Sequence, residues 1–147
     1  MNTENNVLEM QEEDIIKKLL GEVEVPKAVV VIERIGIPVE LKGLNTVEIK
    51  KIREKCTSKR KIKGVAEEKL NGEEYDAALI IGATTNFDWN NPKLLEKYSL
   101  SDGKQFILRK LLAGERTNLV NKVLDLSGYN DELSDAEDIK NLSGEEE

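Results

Sequence analysis

The clearest pattern of apolar and polar positions lies between Pro26 and Gly43. Ala28–Ile35 (AVVVIERI) is short and β-branched, and it is bounded by Pro26 and Gly36, which predicts a strand. Ile37, Val39 and Leu41 then alternate with Pro38, Glu40 and Lys42, the period-2 pattern of a half-buried strand. Gly36 supplies the reversal, so the pair predicts an antiparallel hairpin. Pro38 cannot donate to a ladder, which places this second strand at an edge or pairs it beyond Pro38.

Around this hairpin the period changes to that of helices. Ile15, Ile16, Leu19 and Leu20 form one face of a short amphipathic helix stopped by Gly21, able to pack on its own domain or on a partner. Asn45 caps a helix over 46–56 whose inner face is Ile49, Ile52 and Cys56. Asn71-Gly72 marks a turn, and Tyr75, Ala78, Leu79 and Gly82 define a helix over 73–83 whose buried face Ile80 and Ile81 widen. Asn91-Pro92 opens a helix over 92–98, and Ser101 or Asp102 caps another over 103–112 carrying Phe106, Ile107, Leu111 and Leu112. The last helix, 115–127, turns Leu119, Val120, Val123, Leu124 and Leu126 inward and stops at Gly128 in a left-handed cap. Ile62–Ala66 predicts a third strand. The fold class is therefore α+β: a small antiparallel sheet packed against about five helices, with a helical C-terminal half and an acidic mobile tail. The organisation expected is an acidic segment with a short helix over 1–24, a single α+β domain over 25–129 and a disordered acidic tail over 130–147.

Charge sharpens this division. The chain carries 29 acidic and 22 basic side chains, and residues 1–128 balance at 21 of each. The whole net charge of −7 thus falls on residues 129–147. One cysteine, Cys56, excludes an intramolecular disulfide framework. The absence of histidine removes Ser-His-Asp triads, imidazole acid–base catalysis and His-containing zinc sites. No apolar run approaches the ~18 residues of a membrane span, and the start MNTENNVLEMQEED is unlike a secretory leader. A soluble, cytoplasmic protein is expected, with no membrane partner.

Candidate chemistry is sparse. No GxxxxGK[ST], GxGxxG or GxSxG occurs. Asp131, Asp135, Glu137 and Asp138 lack the Gly and terminal Glu of a calcium loop. The pairs Glu12/Glu13, Glu67/Glu68 and Glu73/Glu74 sit in solvated, charged segments without the surroundings of a catalytic cleft. Cys56, on an apolar stripe, is expected to be buried and structural. The expectation is a non-enzyme with no catalytic residues, no metal and no cofactor, acting by binding at a surface the sequence does not identify. Lys50–Lys63 holds eight basic residues and one acid, and a nucleic-acid-binding accessory role for this segment is the alternative. It lacks stacking aromatics, and the acidic termini oppose it. The loop Thr84–Asn90 holds the only Trp and one of two Phe, which either close over the core or anchor an interface.

The order of these features resembles a known family. VVVIERIGIPVELKGLNTVEIKKIREKCT (29–57), EEYDAALIIGATTNFDWNNPKLLEKY (73–98) and KLLAGERTNLVNKVLDLSGY (110–129) follow one another as in the XkdN-like tail assembly chaperones of tailed phages and defective prophages. The most specific piece is Leu111-Leu112-Ala113-Gly114-Glu115 leading to Leu119 and Leu126-Ser127-Gly128, with Ala113 where the family more often has Pro. The resemblance covers about residues 25–129. It implies a non-enzymatic chaperone, made in the bacterial host, whose partners are the tape measure protein and the tail tube protein. It also implies a longer frameshifted product in many members. A structural tail component is the remaining alternative.

Overall fold

A computed structural model describes residues 7–137 of the chain. They divide into two units. One is Val25–Asn130. The other draws on both chain ends, and its described parts are 7–24 and 131–137.

In the end unit, α1 (Glu12–Leu20) places three carboxylates in its first turn and two lysines in its last, each favoured by the helix dipole. Its apolar residues Ile15, Ile16, Leu19 and Leu20 are exposed. The expected acidic tail from residue 130 lies partly outside the described residues, which end at 137. The first six residues of the expected 1–24 segment lie outside them too.

Val25–Asn130 has the expected α+β class. β1 (Lys27–Ile32) and β2 (Ile37–Lys42) pair antiparallel, with Val30 opposite Val39 and Ile32 opposite Ile37. Gly36 makes the reversal at φ +77°. The inner face carries Ile32, Val39 and Leu41, all buried. Next come α2 (Thr46–Lys55), β3 (Thr57–Ile62), β4 (Val65–Leu70), α3 (Gly72–Ala83), α4 (Pro92–Lys97), α5 (Gly103–Lys110) and α6 (Ala113–Leu126). Helix starts follow the sequence signals. Asn45 Oδ1 accepts from Glu48 N–H at 2.9 Å while Glu48 Oε1 accepts from Asn45 N–H at 3.2 Å, a full capping box. Asn71, Asn91 and Asp102 cap α3, α4 and α5. Gly128 ends α6 at φ +91°.

α3 is the centre of this unit and packs on α2, α5, α6 and β2. It buries Leu79 and Ile80 of the expected face together with Ala77 and Ala83, while Tyr75, Ala78 and Ile81 are half-buried. A helix apolar on nearly every side has no single stripe to read, because its neighbours surround it. On α6, Leu119, Val120 and Val123 are buried, as the periodicity predicts.

One expected element is corrected. Ile62–Ala66 is not a third strand. It spans the tip of a second hairpin, β3–β4, with Lys63 at φ +53° and Gly64 at φ +81°. Two consecutive positive φ values make the reversal that suits a two-residue hairpin, so Lys63-Gly64 stands where Asn-Gly is commoner. The strands were masked by their polarity: nearly every side chain on them is exposed, so no apolar alternation marks them. The register instead matches charges, Lys59 opposite Glu68 and Arg60 opposite Glu67.

Candidate interaction groove

The hairpin, the 84–91 loop and α4–α5 enclose a groove of about 440 Å³. Ile35, Ile37 and Pro38 form one wall, and Asn86, Phe87 and Trp89 supply another from the loop. Leu94 of α4 and Phe106, Lys110 and Leu111 at α5 complete the lining. Eight of these ten residues are apolar, so the groove offers little to a polar ligand and much to an aliphatic or aromatic side chain.

The aromatic floor is fixed from both ends. Trp89 is 2% exposed and donates its Nε1–H to Thr84 Oγ1 at 2.9 Å, so the indole is held where it lines the groove. Phe87 lies 4.7 Å and Phe106 6.3 Å from the Trp89 ring, both tilted, which is a favoured arrangement for aromatic pairs. Tyr98 extends the cluster behind Phe106 and carries the Arg109 guanidinium 4.3 Å over its face. Gly103 starts α5 directly against Trp89: a Cβ there would meet the Trp89 carbonyl at 2.8 Å. Asn90 Oδ1 accepts from Gly103 N–H at 2.7 Å and locks the same approach.

The hairpin wall is tied down as well. Asn86 reaches across to β2, accepting from Glu40 N–H at 3.0 Å and donating to the Pro38 carbonyl at 3.0 Å. Arg34, next to the lining residue Ile35, donates Nε–H and Nη2–H to the two oxygens of Glu115 at 3.0 and 2.8 Å. It also donates to the Lys110 carbonyl at 3.0 Å. Glu115 Oε1 in turn accepts from Leu112 N–H at 2.8 Å at the start of α6. The Arg34 guanidinium, then the Leu112 N–H, hold the Glu115 carboxyl below its usual range. The Leu-Leu-Ala-Gly-Glu motif therefore lines the groove with Leu111 and clamps it with Glu115.

The sequence named no binding residue, and the groove explains why. Its lining is gathered from the hairpin, the 86–89 loop, α4 and α5, and all but the loop read alone as ordinary core. The loop aromatics gave the one usable signal, and both alternatives hold in part: Trp89 closes over the core and also borders the groove. The helical apolar stripe over 106–126 is mostly core, with Leu112 exposed. The basic stretch spreads over the solvent side of α2 and over β3, where Glu67 and Glu68 face it. Cys56 is 4% exposed, and burial raises its thiol pKa, which disfavours the thiolate. Among the described residues no group of three or more Cys, Asp or Glu is placed to hold a metal ion, and no helix is long and apolar enough to cross a membrane.

Comparison with known proteins decides the family. Residues 16–140 match the family described as Phage XkdN-like tail assembly chaperone protein. The chain belongs to that family. The phage-like element PBSX protein XkdN of Bacillus subtilis (strain 168) is 29% identical over 121 residues, 80% of this chain and 82% of the relative. The uncharacterized protein YqbN of the same strain is 27% identical over 121 residues, 80% and 81% respectively. A crystal structure of the protein YqbN superposes with a TM-score of 0.55 at 19% identity, over 74% of this chain and 90% of that one. At that identity the likeness concerns the fold, and the fold of this XkdN-like chain agrees with it.

Proposed function

We propose that this XkdN-like chain binds the tape measure protein of a phage or prophage tail and keeps it soluble until the tail tube covers it. It acts without catalysis, in the cytoplasm of the bacterial host, with the tail tube protein as second partner. The observation that carries this reading is the apolar groove. A helix-rich client presents leucine-type side chains at i, i+3, i+4 and i+7, and a helix-in-groove contact takes two or three of them at once. The fixed Trp89–Phe87–Phe106 floor costs little ordering on binding, which favours affinity.

Co-expression with the tape measure protein tests it. Leu94→Glu and Ile37→Glu place a carboxylate in the groove lining, and Val65→Glu on the second hairpin is the control. The expected result is a loss of about tenfold or more in captured, soluble client for the groove variants, with melts showing an intact fold. Folded groove variants that capture the client as well as wild type would exclude this site.

A further inference from the structure

The four strands of Val25–Asn130 protect their outer edges unequally. β3 and β4 carry charged residues along their length. β2 contains Pro38, and its outer edge is covered by the 84–86 loop: Thr85 N–H donates to the Glu40 carbonyl at 2.9 Å, and Asn86 bonds both Glu40 and Pro38. β1 has none of these devices. Pro26 and Ile32 turn their carbonyls toward the hairpin, accepting from Gly43 N–H at 2.8 Å and Gly36 N–H at 2.7 Å. Antiparallel strands alternate, so the backbone N–H and C=O of Lys27, Val29 and Val31 face away from β2. Among the described residues nothing pairs with them. Val29 and Val31 are each 59% exposed. Beside this edge runs a cleft of about 380 Å³ between β1 and α6, walled by Val30, Val31 and Ile32 on one side and by Leu119 and Lys122 on the other.

We infer that β1 is a strand-addition site and that its occupant is β1 of a second copy of this chain, paired antiparallel about a two-fold axis through Val30. The register follows from the sequence of the edge. Centring on Val30 places Val29 opposite Val31 of the second copy, which are residues whose free backbone groups match. The same register brings Lys27 alongside Glu33, the first residue of the hairpin turn after β1 ends at Ile32, twice over because the contact is isologous. Shifting the axis to Val29 or Val31 keeps the hydrogen-bond pattern but loses the opposition of charges. The Val30-centred pair is self-complementary in backbone, apolar and charged positions together. It also brings Val30 and Ile32 of each copy toward the other's cleft, against Leu119. The product is one four-stranded sheet with β2 at either end, whose edges are already covered.

Sedimentation of the full chain tests this independently of any client, so its failure leaves the groove reading standing. A concentration-dependent dimer is expected. Val31→Pro removes a donor that faces away from β2, leaves the hairpin ladder intact, and should give a monomer with an unchanged far-UV spectrum. Lys27→Glu or Glu33→Lys alone sets like charges opposite at two places and should weaken the dimer about tenfold, while the double variant should recover to within about threefold of wild type. The charge cycle decides even where Val31→Pro perturbs folding. A chain that stays monomeric up to about 100 μM, near the weak end of specific association, overturns the proposal. So does a dimer that survives Val31→Pro, or one in which the double variant is no better than the singles.

Discussion

Glu115 occupies a position where two demands meet: it closes the first turn of α6, and it clamps Arg34 of the hairpin turn. Its ordinary pKa of 4.5 is lowered in the fold, chiefly by Arg34. A lowered carboxyl contributes stability that is fully present above the unfolded value and disappears as pH falls through the folded one. Glu115→Gln should therefore melt below wild type at pH 7, and the gap should narrow as the pH drops below about 4. A constant gap across that range would show that the carboxylate charge is not what the fold uses. Gly103 makes a second residue-scale claim. Any Cβ there strikes the Trp89 backbone, so Gly103→Ala should destabilise by about 1–3 kcal/mol and perturb tryptophan fluorescence. On α6, Leu119→Ala should cost about 2–4 kcal/mol and Val123→Ala somewhat less, since both are buried. A melt unchanged by these two would mean that α6 is not docked.

Elements were legible where one side faces a core and a cap marks the start. The first hairpin shows both of its faces in the 28–42 pattern, and Asn45, Asn91 and Asp102 announce their helices by chemistry rather than periodicity. The second hairpin escaped because neither of its faces is buried, so its pairing is written in opposed charges that a single strand does not reveal. The groove escaped for a different reason: Ile37, Trp89 and Leu94 become neighbours only through the tertiary fold. The same exposure yields a prediction for β3–β4. A two-stranded hairpin without a packed face is marginal alone. Replacing residues 58–69 by a short Gly-Ser turn should change stability by less than about 1 kcal/mol, because exposed pairs such as Lys59–Glu68 contribute little. A collapse of cooperative unfolding in that variant would show the hairpin to be part of the folding unit.

Across the whole molecule, charge is more segregated than the net value suggests. Residues 25–130 hold 19 basic and 14 acidic side chains, a charge of +5, whereas residues 1–24 hold −5 and residues 131–147 hold −7. Removing residues 131–147 thus takes the chain from −7 to zero at pH 7. Proteins near zero net charge lose the mutual repulsion that keeps them apart in solution. The truncated chain should keep the far-UV spectrum and melt of the intact protein, yet show a solubility minimum near pH 7 that the intact chain, with pI about 4.9, does not have. Without histidine the truncated chain stays near neutral between the carboxylate and lysine ranges, so recovery should need a pH below about 4.5 or above about 10. Client capture should respond differently. Apolar contacts in the groove persist in salt, while exposed charges are screened beyond about 8–10 Å near physiological ionic strength. Truncation should therefore slow association more than it weakens the complex, and a pull-down should survive high salt. Dissociation of the complex in high salt, or its complete loss with the tail, would assign the client to the charged segments instead of the groove.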